Sequence, residues 1–265
     1  MPVPSPARAA APLQISPLPA FRDNYIWLIE RGSEAAVVDP GDAAPVEQAL
    51  RARGLTLTDI VVTHHHPDHV GGVAELAAAH GSRVLGPAAE TIPALTVPLQ
   101  PGGRVEVLGE TWEVIGVPGH TRGHIAYWCA GVQALLCGDT LFACGCGRLF
   151  EGTPAQMSVS LAKLAALPGS TRVYCAHEYT LSNIRFAQAV EPGNAELEAR
   201  RQAAEATRAR NQPTVPSTIA LELATNPFLR CDQPAVRAAA EQRQPGAGAS
   251  EVTVLAAIRG WKDVF

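Results

Sequence analysis

A strand that ends in four imidazoles and a carboxylate constrains this chain more than any other feature. Residues 60–72 read IVVTHHHPDHVGG: four apolar or β-branched residues, then His64, His65, His66, Asp68 and His69 within six positions, then a glycine pair leading into an apolar helical pattern. In extended chain, residues two apart point the same way, so His64 and His66 converge while His65 faces the opposite side. Asp68 and His69 come a turn later and reach toward a second point close to the first. So many polar groups at the end of a core strand cost stability unless something binds them. Histidine and carboxylate together suit a borderline cation such as Zn²⁺, Fe or Mn²⁺.

Further donors stand at three other strand ends. PGHTRGH offers His120 or His124, LLCGDTLF offers Asp139 and VYCAHEYT offers His177, each after an apolar run and at a turn. Together they predict two divalent ions: one held by His64, His66 and His120, the other by Asp68, His69 and His177, with Asp139 bridging. Positions left open on the ions are the condition for catalysis rather than for a closed structural site. On this assignment His124 braces the ligands, and His65 and His80 are not ligands.

The frame around these residues is mixed. From Asn24 to Tyr179, β-type runs of about four to eight residues alternate with Gly, Pro and Asp. They are residues 26–30, 36–39, 60–63, 83–85, 104–108, 111–117, 124–129, 132–137 and 172–175, with hairpins expected at Leu108–Glu110 and Ala130–Gly131. Helical patterns cover 45–53, 70–80 and 157–167, which predicts two sheets with helices outside them. After Tyr179 the texture turns helical, over 181–190, 195–211, 235–243 and 250–261. All eight histidines precede residue 178. The helical remainder is either a second domain or a cap on the first. The opening residues, rich in proline, read as a frayed N-terminus without the uninterrupted apolar stretch of an export signal.

Composition excludes several classes of protein. The chain holds 23 Gly and 22 Pro in 265 residues, well below the roughly 25–30% share of low-complexity disorder. No run approaches the 18 or more apolar residues of a membrane span. A net charge of −4 gives no concentrated basic surface for nucleic acid. Several of the six cysteines lie in apolar runs and read as small buried hydrophobes rather than disulfides. A cytoplasmic monomer acting on a small molecule is expected, with no nucleic-acid or membrane partner.

THHHPDH, PGHTRGH, GDTLF and AHEYT, in this order and spacing, resemble the metallo-β-lactamase superfamily. Within it, FRDNYIWLI, VDPGD, GCGRLFEGT and the terminal RGWKDVF resemble the glyoxalase II (hydroxyacylglutathione hydrolase) family, from about residue 14 to the end. The resemblance implies an α+β fold, a four-layer αββα sandwich with a C-terminal helical domain. The expected division is 1–13 flexible, 14–180 catalytic and 181–265 helical and substrate-binding. It also implies two metal ions, most simply Zn²⁺, and hydrolysis of S-(2-hydroxyacyl)glutathione to the acid and glutathione, the second step of methylglyoxal detoxification. Matched position by position, it assigns glutathione binding to Arg148, Tyr179, Arg259 and Lys262. The last two have a reading of their own, because residues three apart share a helix face and two cations there can hold a carboxylate. Phe150 stands where the family often has Tyr, and a lost hydroxyl contact is worth roughly 0.5–1.5 kcal/mol.

What a thioester carbonyl lacks at neutral pH is hydroxide. A metal lowers the pKa of water from ~15.7 to about 7, and Asp68 and Asp139 are expected to orient the hydroxide. A nucleophilic Cys144 or Cys146 is the competing mechanism. A glutathione persulfide dioxygenase, an exported β-lactamase, a tRNA-processing nuclease and a non-catalytic metal-binding module are the rival readings. The helical ending with its basic pair, the presence of Asp139 and the acidic net charge argue against the first three.

Overall fold

The computed structural model describes residues 11–265. Six strands form the first sheet in the spatial order β1 (Gln14–Ala20), β2 (Asn24–Arg31), β3 (Glu34–Val38), β4 (Thr56–Val61), β5 (Arg83–Pro87) and β6 (Val97–Leu99). The first two pairings are antiparallel; β3 to β6 run parallel. The parallel crossovers carry α1 (Ala43–Arg53), α2 (Pro67–Val70) and α3 (Val73–His80).

The run IWLIE shows why this sheet lies in the middle of a sandwich. Along β2, Tyr25, Trp27 and Ile29 enter the core shared with the second sheet, while Ile26 and Leu28 enter the core under α1 and α3. β3 divides the same way, with Ala36 and Val38 on one face and Ala35 and Val37 on the other. A sheet buried on both faces reads as a continuous apolar run rather than an alternating one.

The second sheet comprises β7 (Arg104–Val107), β8 (Glu110–Gly116), β9 (Ile125–Cys129), β10 (Ala134–Gly138), β13 (Arg172–Cys175) and β14 (Ser217–Thr218). A separate small hairpin, β11 (Leu141–Phe142) and β12 (Gly145–Cys146), follows β10. The helices over this half are α4 (Pro154–Ala165), α5 (Thr180–Val190), α6 (Ala195–Arg208), α7 (Ile219–Thr225), α8 (Pro234–Arg243) and α9 (Glu251–Asp263). Helix, sheet, sheet, helix is the expected four-layer arrangement. Phe186, Ile219, Phe228, Val254, Leu255 and Ile258 share one apolar core with Trp112, Tyr127 and Tyr174 of the second sheet. The C-terminal helices are thus packed directly on the sandwich.

Several elements differ from the sequence expectations. Residues 14–20 form a strand where the opening prolines suggested a frayed end. Among the described residues β1 pairs only with β2, so Pro17 and Pro19 sit on a sheet edge, where a missing N–H does no harm. The flexible end expected over 1–13 lies outside the described residues up to residue 10, and residues 11–13 belong to no helix or strand. The single helix expected over 70–80 is two, divided at Gly71 and Gly72. β6, β14 and α7 were not expected, being too short to carry a period. Both hairpins form. The first turns on Leu108 and Gly109, both at positive φ, the pairing a tight I′ turn demands. The second is longer than expected, and its left-handed residue is Gln133 rather than Gly131.

Candidate metal centre and active site

The four strand ends singled out by the sequence meet at one edge of the sandwich. His64, His66, Asp68 and His69 come from the segment after β4, His120 precedes β9, Asp139 follows β10 and His177 follows β13. The donor atoms of His64, His66 and His120 all lie within 4.8 Å of one another, and so do those of Asp68, His69 and His177. Asp139 reaches both sets. One oxygen is 3.5 Å from His69 Nε2 and 3.3 Å from His177 Nε2, and the other is 3.4 Å from His120 Nε2.

Neighbouring groups set which nitrogen of each imidazole faces the cleft. Thr63 Oγ1 donates to Asp39 at 2.7 Å, so at 3.0 Å it accepts from His64 Nδ1. His120 Nδ1 donates to the Arg148 carbonyl at 2.9 Å, and His177 Nδ1 to Asp23 at 2.9 Å. The remaining Nε2 lone pairs point inward. His64 Nε2 and His120 Nε2 then stand 3.2 and 3.0 Å from His66 Nδ1. Lone pairs converging so closely repel one another unless a cation lies among them, and such spacings suit M–N bonds of about 2.0–2.1 Å. In the other set, His69 Nε2 and Asp139 Oδ1 are buried with no hydrogen-bond partner, a costly state that a cation relieves. The residues present therefore fit two divalent ions.

Electrostatics agree with this fit. Burial, reinforced by His69 and His124, pushes His64 well down; burial also lowers His66 and His120, keeping all three in the neutral, ligating form. Burial opposes charge on His69 and His177 as well, but Asp139 outweighs it and raises both. His69 and His177 in turn hold Asp139 well below the usual carboxylate range in spite of its burial. The second set thus concentrates negative potential and attracts positive charge.

Of the other histidines, His124 uses both nitrogens on backbone. Its Nδ1 donates to the Ile125 carbonyl at 3.1 Å, and its Nε2 accepts the Asp139 N–H at 3.2 Å. It also stacks on His64, with ring centroids 4.6 Å apart. His65 points away to Glu90, and His80 is exposed and bound to Glu47 on α1.

Residues 20–177 match the metallo-beta-lactamase superfamily, and residues 178–265 match the hydroxyacylglutathione hydrolase C-terminus. The hydroxyacylglutathione hydrolase of Pseudomonas aeruginosa is 59% identical over 257 residues, covering 96% of this chain and the whole of that protein. That of Cupriavidus taiwanensis is 59% identical over 266 residues, covering 96% of this chain and 99% of its own length. The chain belongs to the hydroxyacylglutathione hydrolase family. Among solved structures, ETHE1 from Myxococcus xanthus superposes with a TM-score of 0.59 at 26% identity, over 79% of this chain and 84% of that one. TTHA1623 in a di-iron-bound form gives a TM-score of 0.51 at 30% identity, over 62% of this chain and 91% of that one. The BLEG-1 B3 metallo-beta-lactamase shares the fold, with a TM-score of 0.61 at 22% identity over 82% of this chain and 99% of that one.

In this family member a cavity of about 430 Å³ opens beside the cluster. His120 and Asp139 line one end, and Arg148, Tyr179, Arg259 and Lys262 line the rest with Phe142 and Phe150. Tyr179 is held flat on His177, ring centroids 4.7 Å apart and nearly parallel. Phe150 is exposed and meets the rings of His66 and His120 edge-on at 5.6 and 5.3 Å.

The two α9 cations are not equivalent. Arg259 is buried, donating to the Cys146 carbonyl at 2.8 Å and to Asp263 at 3.0 Å over the Phe228 ring. Arg148 is exposed and also pairs with Asp263, at 3.2 Å. Lys262 is half-buried above the Phe186 ring. Burial disfavours the thiolate form of the two thiols nearest the site, pushing Cys144 up to about 12 and raising Cys146 too, despite Arg259 beside it.

Sequence reasoning missed the residues that orient the donors. Asp39, at the end of β3, places Oδ2 3.2 Å from His69 Nδ1, and Asn24 donates to Asp68 at 2.9 Å. A carboxylate at the end of an apolar strand, VVD, was the available signal for Asp39, as LLCGD was for Asp139. Asp23 lies in the turn before β2 and Asn24 is the first residue of that strand, where polar residues are ordinary.

Proposed function

We propose that this chain is a metal-dependent thioesterase that hydrolyses S-(2-hydroxyacyl)glutathione, for example S-lactoylglutathione, to a 2-hydroxy acid and glutathione. This is the second step of methylglyoxal detoxification. One observation carries the reading: seven inward-facing donors in two sets joined by Asp139, at the end of a cavity whose far wall is cationic. The metal ligands are His64, His66 and His120 in one set and Asp68, His69 and His177 in the other, with Asp139 common to both. Zinc is the first choice of metal, and iron or manganese suits the same donors. Two such ions supply a water acidic enough to ionise near neutral pH and polarise the thioester carbonyl.

The chain's own residues do the rest. Asp68 and Asp139 accept hydrogen bonds from the attacking water and fix its line of approach. Lys262 and Arg259 attract the terminal carboxylate of glutathione, while Arg148 and Tyr179 flank its peptide groups. Residues 14–180 thus perform the chemistry, and 181–265 contribute Arg259 and Lys262 to the grip on the substrate. Six buried free cysteines suit a reducing compartment, and we place the protein in the cytoplasm as a monomer acting on a diffusing small molecule.

The test compares turnover of S-lactoylglutathione with that of acetyl-coenzyme A, before and after exhaustive chelation, with metal counted per chain in the wild type and in His66→Ala. The expected result is a strong preference for the glutathione thioester, two ions per chain, and loss of activity and of one ion in the variant. Equal rates on the two thioesters, or full activity after chelation, overturn the reading.

A further inference from the structure

His65 is the one histidine of the cluster that the proposed chemistry leaves unused, and its partner is a carboxylate outside every motif. Glu90 lies in the loop between β5 and β6, and its side chain is only 4% exposed. One of its oxygens accepts from the His65 backbone N–H at 2.7 Å and contacts His65 Nδ1 at 3.0 Å. The other accepts from the Thr121 hydroxyl, and from the Gly123 N–H at 3.0 Å. Glu90 therefore ties the segment carrying His64 and His66 to the turn that follows His120. The approach is so close that a Cβ at Gly123 would lie 2.5 Å from Glu90 Cγ, which accounts for the glycine in PGHTRGH. Glu151 adds a parallel tie: one oxygen lies 3.3 Å from His65 Nε2, and the other accepts the Arg122 N–H at 2.9 Å.

The second set of donors has supports that do not involve Glu90, although Asp39 also reaches His64 through Thr63. Asp39 faces His69, Asp23 holds His177 and Asn24 holds Asp68. Glu90 has no hydrogen bond or ion pair with any of the three.

We propose that Glu90 is a positioning residue for one ion only. By clamping His65 to Thr121 and Gly123, it sets the spacing of His64, His66 and His120, and it leaves the Asp68, His69 and His177 set unaffected. The inference rests on the two-ion reading above. Glu90→Gln keeps the shape but turns an amide donor toward a backbone N–H on whichever side it faces, that of His65 or that of Gly123, so the clamp must open on one side. Groups that orient metal ligands typically contribute 10–100-fold to affinity.

The experiment counts metal per chain in the full-length protein after equilibration in zinc buffered by a chelator over a graded range of free concentration. The wild type is expected to retain two ions per chain. Glu90→Gln should lose one of them at tenfold or more higher free zinc than the wild type and hold the other normally. Identity of the lost ion follows from combination: Glu90→Gln with His120→Ala should retain one ion, as either change does alone, whereas Glu90→Gln with His177→Ala should retain none. Thr121→Val, which removes a single donor to Glu90, provides a milder version should the glutamine variant fold poorly, and is expected to weaken the same ion by a smaller factor. Loss of both ions together, or unchanged affinity in a folded Glu90→Gln chain, overturns the proposal while leaving the two-ion reading intact. A wild type that holds fewer than two ions overturns both.

Discussion

Burial and the adjacent Arg259 bring the Lys262 ammonium down to about 8. A lysine so placed is charged below that pH and neutral above it, whereas the glycine carboxylate of glutathione stays ionised throughout. Attraction between the two is therefore present below about pH 8 and lost as pH rises through it. In kcat/KM for S-lactoylglutathione, which reports the free enzyme, we expect a decline above that point carried by a rising KM with kcat nearly flat. Lys262→Gln should abolish that limb and raise KM at pH 7 by several-fold. A thioester lacking the glycine carboxylate should show neither effect; the same decline with that substrate would remove Lys262 from the binding site.

Among the elements, the hairpin of β11 and β12 forms one wall of the cavity and is held from behind by a buried network in the helical region. Glu222 of α7 accepts from the Cys144 N–H at 2.9 Å and pairs with Arg200 of α6 at 2.5 Å; both side chains are almost wholly buried. Asn226 adds bonds to the carbonyls of Phe142 and Gly145 at 3.1 and 2.9 Å. Removing one charge of a buried pair strands the other, at about 3–5 kcal/mol. Glu222→Gln should lower the urea-unfolding free energy by about that much and also raise KM through a displaced β12. An effect under about 1 kcal/mol would mean that the pair contributes no more than an exposed one.

None of this network was legible in the sequence. Arg200 and Glu222 sit in helices of ordinary composition, and their pairing spans 22 positions without a pattern. Glu90 was hidden for the same reason. The metal donors could be read because strand alternation and strand ends place a side chain using local chain alone. The central strands could be read because IWLIE and IVVT are apolar on both faces. β1 was lost because proline is a strong breaker everywhere except on an edge, and whether a strand is an edge is decided by the whole sheet.

At the scale of the molecule, each set of donors draws two residues from the first sheet's loops and one from the second's, with Asp139 of the second sheet common to both. An ion in either set would thus tie the two halves of the sandwich across long sequence intervals, a constraint of the kind that gains most when the loop closed is long. Ligand bound only to the folded state stabilises by about 4 kcal/mol at a thousandfold excess over its dissociation constant. For a chain of this size that corresponds to roughly 2–4 °C per kcal/mol. Exhaustive chelation should therefore lower Tm by about 8–16 °C per tightly bound ion, and zinc should restore it. An unchanged Tm would show that the donors are held in place by the polypeptide alone.

The margins of the two sheets have a consequence for how the protein behaves in a crowded cell. An open ladder of peptide groups is a template on which another chain can add a strand, the first step toward aggregation. Here β1 carries Pro17 and Pro19, and β6 carries Pro98 in only three residues. On the other sheet β14 has two residues, and β7 is a four-residue strand that presents Arg104 and Glu106 to solvent. All four edges are thus short, charged or interrupted. A chain that is 47% hydrophobic can then reach high concentration without its sheets joining those of its neighbours.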